Sequence, residues 1–159
     1  MFLIVAVDKN WGIGKDGGLL CHLPEDLKYF KEKTTGSVIV YGRKTLETFP
    51  GGKALPKRVN IVMTRDKDFF KEGVTAVNSV EELLEELKKY EDMDVFVCGG
   101  AEVYRQLLPY CDRAYITHIY KGFEADAFMP ALEEGWRKVS EDIHANDKFE
   151  YGFAVYERE

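Results

Sequence analysis

The fold is decided by the stretch DVFVCGGAEVYRQLLP, residues 94–109. Residues 94–98, apolar after Asp94, are typical of a buried strand, and residues 101–108 have the pattern of a helix that Pro109 ends. Only Gly99 and Gly100 stand between them, so the strand passes almost directly into the helix. This arrangement predicts a strand–helix unit of the kind that builds α/β sheets.

The same alternation runs through the first two-thirds of the chain. Strands are predicted at 2–7, 37–41 and 59–64, and helices at 24–33, 43–49 and 79–87. In the last of these helices, Ser79 and Glu82 have capping-box spacing, and an apolar stripe at positions 80, 83, 84 and 87 predicts core packing. After Pro109 the pattern changes to strands, at 113–120, 136–139 and 151–156. We therefore expect a mainly parallel sheet that an antiparallel hairpin completes.

Composition places the chain among ordinary globular proteins. It has 159 residues, 45% of them hydrophobic, and a formal net charge of −6. The length predicts one domain, and the charge argues against a general binder of nucleic acid or anionic membranes. Three cysteines without CxxC spacing suggest neither a disulfide framework nor a zinc site, as expected in a reducing cytosol. The first apolar run stops at Asp8, which is too early for a signal peptide.

Three predicted strands end in residues that suit phosphate. The carboxyl ends of parallel strands share one edge of the sheet, where ligands bind. The strand at 37–41 leads into Gly42-Arg43-Lys44-Thr45, that at 59–63 leads into Thr64-Arg65, and that at 94–98 leads into the Gly-Gly pair. Glycine permits close approach, while guanidinium and helix N–H groups hold anions. The three junctions predict a dinucleotide, with a third phosphate as in NADP. No GxGxxG fingerprint supports an ordinary Rossmann site.

A carboxylate stands on an apolar helix face in Leu23-Pro24-Glu25-Asp26-Leu27-Lys28-Tyr29-Phe30. Pro24 suits the first helical position, and Asp26, Leu27 and Phe30 share one wall at helical spacing. A flat, nitrogen-rich ligand would satisfy such a carboxylate. The alternative is that Asp26 faces water and complements the helix dipole.

Other features are less specific. The loop at 8–19 holds four glycines and is either a mobile lid or a plain surface loop. His22, His118 and His144 have no metal spacing, and structural or surface roles are favoured for each.

With these residues in view, the chain resembles the bacterial chromosomal dihydrofolate reductases over nearly its whole length. The similarity runs in order through residues 6–14, the helix start at 23–30, and residues 42–45, 55–58, 98–104 and 115–118. Each motif is short, but their order and spacing are highly specific. The resemblance implies one α/β domain over 1–159, with a mixed, mostly parallel eight-stranded sheet, a C-terminal antiparallel hairpin and about four flanking helices.

The resemblance also implies an activity, the reduction of 7,8-dihydrofolate to 5,6,7,8-tetrahydrofolate in one-carbon metabolism. NADPH would deliver a hydride to C6, and N5 would be protonated. Asp26 would bind the pterin and favour its N5-protonated form, Thr117 would support Asp26, and Arg58 would grip the glutamate α-carboxylate. The implied substrate contacts are Ile4, Ala6, Asp26, Leu27, Phe30, Phe49, Leu55, Arg58, Cys98, Tyr104 and Thr117. The implied cofactor contacts are Ala6, Ile13, Gly14, Leu19, Gly42, Arg43, Lys44, Thr45, Met63, Thr64, Arg65, Cys98, Gly99, Gly100, Ala101, Glu102, Val103 and Tyr104.

One position departs from the family pattern. The family usually has Leu-Pro-Trp before the first helix, whereas this chain has Leu19-Leu20-Cys21. The family's indole helps order water above the pterin, so the cysteine predicts a roomier, more hydrated pocket. The resemblance otherwise implies a cytoplasmic monomer without a metal, which binds dihydrofolate and antifolate inhibitors but neither nucleic acid nor membranes.

Two alternatives remain open from the sequence. A pyrimidine reductase of riboflavin synthesis shares this fold and uses NADPH, but it needs neither the acid on the first helix nor Arg58. A binding module that has lost turnover is the other alternative, and the intact pair of Asp26 and Thr117 argues against it.

Overall fold

The chain forms ten strands and four α-helices in a computed structural model that describes residues 1–159. The strands are β1 Phe2–Val7, β2 Gly12–Gly14, β3 Val38–Gly42, β4 Val59–Met63, β5 Val74–Val77, β6 Val95–Val97, β7 Arg113–Ile119, β8 Ala127–Phe128, β9 Trp136–Ala145 and β10 Glu150–Arg158. The helices are α1 Pro24–Thr34, α2 Arg43–Thr48, α3 Val80–Leu87 and α4 Ala101–Leu107. No helix is long and apolar enough to cross a membrane.

Eight strands build one mixed sheet in the order β5-β4-β3-β6-β1-β7-β10-β9. All neighbours from β5 to β7 are parallel, and β10 pairs antiparallel with both β7 and β9. The predicted architecture, including the antiparallel C-terminal hairpin, is confirmed. Strands β2 and β8 form a separate two-stranded sheet.

The central strands are apolar on both sides because helices cover both faces of the sheet. In β3, Val38 and Val40 pack into one cluster with Leu83 of α3 and Leu107 of α4. The alternate residue Ile39 packs on the other face, in a cluster that includes Leu46 of α2 and is flanked by Phe30 of α1. A strand of period two can therefore serve two cores at once.

Several element boundaries differ from the predictions for identifiable reasons. Strand β9 runs to Ala145 rather than to residue 139, because its outer part is an exposed edge whose charged side chains carry no apolar signal. Strands β2, β5 and β8 were not predicted, since each is short and, unlike the equally short β6, lacks a continuous buried apolar run. The cap of α3 is confirmed at Ser79, whose side chain accepts the Glu82 N–H, but the Glu82 carboxylate reaches Asn78 instead of Ser79.

Candidate active site

A cleft of about 1440 Å³ opens at the carboxyl ends of the parallel strands. This volume exceeds the roughly 300–1,000 Å³ of a site for one small ligand, so two ligands fit side by side. The residues that end β1, β3, β4 and β6 contribute to its walls, together with α1 and the loop at 13–23. The cleft lies where ligands bind in open α/β sheets.

Asp26 projects into this cleft from the first turn of α1, which Pro24 begins. The side chain is half-buried, and Thr117 of β7 donates a hydrogen bond from Oγ1 to Asp26 Oδ1 at 2.6 Å. Burial raises the pKa of Asp26, and the bond from Thr117 partly offsets that rise because it stabilises the charged form. Asp26 is therefore a cleft carboxylate rather than a fully solvated surface acid.

Apolar side chains and one guanidinium extend from Asp26 along the cleft. Arg58 is half-buried; its Nε donates to the Pro56 carbonyl at 3.0 Å, and its Nη1 donates to Thr34 Oγ1 at 3.2 Å. Burial lowers the pKa of Arg58, but the group stays charged at any physiological pH. The structure thus orients one edge of the guanidinium before any ligand arrives. The apolar wall between the two charged groups consists of Ile4, Leu27, Phe30, Phe49 and Leu55.

The other half of the cleft is glycine-rich and basic. Gly42 at the end of β3 donates its N–H to the Gly99 carbonyl at 2.8 Å, so two of the predicted junctions touch. Gly99 has a φ of +126°, and a side chain there would come within 3.3 Å of Thr45 Oγ1. The Gly99–Gly100 peptide is cis. The cations and hydroxyls that line this half are Arg43, Lys44, Thr45, Thr64 and Arg65, and the acids Asp66 and Glu102 line the cleft as well.

Comparison with known proteins decides the family. The dihydrofolate reductase family model matches residues 1–158. The chain belongs to the dihydrofolate reductase family. Dihydrofolate reductase of Bacillus subtilis is 42% identical over 159 residues, which cover 98% of this chain and 92% of the relative. The enzyme of Staphylococcus haemolyticus is 38% identical over 160 residues, covering 98% of this chain and 94% of the relative.

A solved structure of the family has the same fold. Dihydrofolate reductase from Enterococcus faecalis, complexed with NADP(H) and RAB-propyl, is 40% identical and superposes with a TM-score of 0.89. The match covers 99% of this chain and 95% of the other. Family and fold together establish NADPH-dependent reduction of dihydrofolate as the activity of this chain.

The structure brings the predicted residues into one site. Every residue named for substrate or cofactor lines the cleft except Thr117, which is 1% exposed and lies behind Asp26. Cys21 lines the cleft too and is half-buried; burial and the nearby Asp26 carboxylate raise the pKa of its thiol. The position that departs from the family pattern therefore faces the same cavity as the carboxylate.

The loop at 8–19 is attached to the rest of the protein at several points. Asp8 is 1% exposed; its Oδ1 accepts the N–H groups of Asn10 and Gly12, each at 2.8 Å, and its Oδ2 accepts that of Phe123 at 3.0 Å. Strand β2 pairs with β8, and Asp126 accepts the Asp16 N–H at 2.9 Å. The pattern of glycines alone did not predict these attachments, because the partners lie more than 100 residues away.

Of the three histidines, only His22 lines the cleft. His118 Nε2 is 2.7 Å from the Tyr156 hydroxyl, and His144 Nε2 is 2.9 Å from Asp142 Oδ2. His22 is exposed and contributes to the rim of the cleft. Residues that sequence reasoning missed include Lys31, Thr48, Asp66, Asn78 and Gln106, all of which line the cleft.

Proposed function

We propose that this chain reduces 7,8-dihydrofolate with Asp26 as the residue that binds the pterin and favours its protonation at N5. The carrying observation is a carboxylate on an apolar wall, held by Thr117 at 2.6 Å and aimed into a cleft with room for two ligands. Arg58 at the other end of the apolar wall supports a substrate that carries a carboxylate.

Asp26 would accept hydrogen bonds from the pterin 2-amino group and the adjacent ring N–H. These two donors match the two oxygens of a carboxylate, which satisfies the half-buried charge. The negative charge would stabilise the N5-protonated substrate electrostatically, whether or not Asp26 itself delivers the proton. Thr117 supports this role because its hydroxyl favours the ionised form of Asp26.

Arg58 would bind the glutamate α-carboxylate as a fork. The bonds to Pro56 and Thr34 hold the guanidinium in place, so little side-chain freedom is lost on binding. The apolar residues Leu27, Phe30 and Leu55 would pack against the pterin and the aminobenzoyl group between the two charged ends.

The basic half of the cleft fits NADPH, which when bound supplies a hydride for C6 of the substrate. A Cβ at Gly99 would meet Thr45 Oγ1 at 3.3 Å, so the glycine lets Thr45 lie against the Gly-Gly bend, where its hydroxyl would bind a phosphate. Arg43, Lys44 and Arg65 supply positive charge for three phosphates. Tyr104, whose hydroxyl donates to the Ile4 carbonyl at 2.8 Å, would help form the nicotinamide site.

Cys21 would leave more room for water above the pterin than the indole usual in the family. Its thiol is a weak hydrogen-bond donor and its pKa is raised, so it stays protonated near neutral pH. Proton supply to N5 would then depend on water beside Asp26 rather than on an indole-ordered site.

The assay that tests the proposal follows NADPH oxidation by absorbance. Purified protein is given dihydrofolate, and in a parallel reaction the aminopyrimidine substrate of riboflavin synthesis. Turnover of dihydrofolate alone is expected, since Asp26 and Arg58 match its two ends. Turnover of the pyrimidine would establish the alternative reductase, and binding without turnover of either would indicate a module without activity. By family resemblance we also expect a single cytoplasmic domain that is a monomer, and gel filtration tests the monomer.

A further inference from the structure

We propose that Asp66 is a specificity-determining residue. Its charge lowers the affinity of this chain for NADPH relative to its affinity for NADH. The inference rests on the proposed function, because it takes the basic end of the cleft as the place of the adenosine 2′-substituent. Asp66 belongs to none of the predicted contacts, yet it lines the same cleft.

The carboxylate of Asp66 lies against one of the cations of that end. Its Oδ2 is 3.7 Å from Arg43 Nη1, and both side chains are about half exposed. Its Oδ1 accepts the Asp68 N–H at 2.9 Å, which favours this orientation of the carboxylate. The anion therefore occupies one side of the Arg43 guanidinium before a nucleotide binds.

The backbone around Asp66 is also held in place. Its own N–H donates to Thr64 Oγ1 at 3.1 Å. Asn78, beyond the end of β5, donates from Nδ2 to the Thr64 carbonyl at 2.8 Å and to the Asp66 carbonyl at 3.4 Å. These bonds attach residues 64–66 to Asn78, so the backbone of Asp66 is held at this end of the cleft.

The two forms of the cofactor meet Asp66 differently. In dinucleotide sites an acidic residue accepts a hydrogen bond from a ribose 2′-hydroxyl, whereas an arginine accommodates a 2′-phosphate. Here Asp66 and Arg43 offer both groups at one place. A phosphate of nearly two charges gains attraction from Arg43 but meets repulsion from Asp66, while a hydroxyl can donate to Asp66. Between charges about 6 Å apart in water, screened by salt, repulsion of a nearly dianionic group is worth about three- to tenfold in affinity, and we expect an effect of this size.

The test compares the dissociation constants of NADPH and NADH by calorimetry, without turnover. In Asp66→Asn, the amide oxygen can still accept the Asp68 N–H, whereas the oxygen that faces Arg43 becomes an uncharged NH2 group. NADPH should bind about three- to tenfold more tightly, NADH should bind equally or less tightly, and the gain should shrink at high salt. Asp68→Asn is the matched control. It also removes one negative charge, two residues from Asp66, but the Asp68 side chain does not line the cleft. Asp68→Asn and Asp66→Glu should keep the wild-type ratio.

Two smaller probes locate the effect. Adenosine 2′,5′-bisphosphate should gain affinity in Asp66→Asn, and AMP should not. An unchanged ratio of NADPH to NADH affinity in Asp66→Asn, or an equal change in Asp68→Asn, would overturn the role of Asp66. A wild-type protein that binds neither dinucleotide would refute the cofactor site itself, and the inference with it.

Discussion

Replacing Thr117 with valine removes one hydroxyl from behind Asp26 and leaves the shape of the side chain nearly unchanged. Thr117 is 1% exposed, and its Oγ1 donates to Asp26 Oδ1 at 2.6 Å. We expect Thr117→Val to weaken both the fold and catalysis, because the carboxylate loses its only side-chain hydrogen-bond donor in the protein.

The magnitude follows from that one bond. A hydrogen bond to a charged group contributes about 1.5–3 kcal/mol, and one to a neutral group about 0.5–1.5 kcal/mol. Asp26 is half-buried, so solvent screens the charge and the lower part of the first range, about 1.5–2 kcal/mol, is expected. If the whole loss is felt in the transition state, kcat/KM falls about tenfold or somewhat more.

The pH dependence has a definite sign. Burial already raises the pKa of Asp26, so its contribution to stability is greatest below its ordinary pKa and is lost as pH rises through the folded pKa. Removing the Thr117 hydroxyl raises the pKa of Asp26 further. The cost of Thr117→Val should therefore be larger at about pH 8, where Asp26 is ionised, than at about pH 4, where it takes up a proton.

Urea unfolding at both pH values measures this cost, in a double-mutant cycle with Asp26→Asn. A coupling free energy of about 1 kcal/mol is expected at about pH 8, the difference between a charged and a neutral acceptor. Thr117→Ser keeps the hydroxyl and should show a pH-independent cost. Equal costs of Thr117→Val at both pH values and in both backgrounds would refute the reasoning.

Three further perturbations test other parts of the site. Asp26→Asn should lower turnover near neutral pH at least tenfold, with recovery at lower pH as solvent protonates the substrate. It should also raise the thermal midpoint of unfolding, because burial disfavours the charge of Asp26. Near wild-type activity at about pH 7–8 would show that Asp26 does not have this role. Cys21→Trp should alter the pH profile of turnover or the affinity for an antifolate, and unchanged values for both contradict the hydrated-pocket hypothesis. Asp8→Asn replaces one of the two oxygens that accept backbone N–H groups with an NH2 donor. It should lower the free energy of unfolding in urea by about 1–3 kcal/mol and speed proteolysis of the loop at 8–19. Equal proteolysis rates would show that Asp8 does not hold the loop.

The sequence predicts most of the fold because its strongest signals are local. Pro24 marks the start of α1, Ser79 marks the cap of α3, and apolar runs mark the central strands. The signal weakens where partners lie outside the element. Strand β9 is an edge with exposed charged residues, and β2 exists because β8 pairs with it from more than 100 residues away.

The site divides in the same way. The three strand ends predicted to bind phosphate, at 42–45, 64–65 and 99–100, follow from their residue types, and the structure brings them together at one cleft. The bond between Thr117 and Asp26 joins residues 91 positions apart, and only the family resemblance indicated it. Asp66 had no signal at all, since an exposed acid after a strand is ordinary until its distance to Arg43 is known.

The place of β1 in the sheet has a consequence for synthesis of the protein. β1 lies between β6 and β7, and its pairing partners begin at Phe96 and Arg113. At about 5–20 residues per second, the ribosome needs on the order of 5–20 s to reach the end of β7 after completing β1. The apolar run Phe2–Val7 lacks β6 until residue 97 has been made and lacks β7 until residue 119, so its apolar side chains stay exposed in the nascent chain for most of that time. Because β7 also carries Thr117, the same late docking event that buries β1 brings the Asp26 carboxylate to its hydroxyl partner.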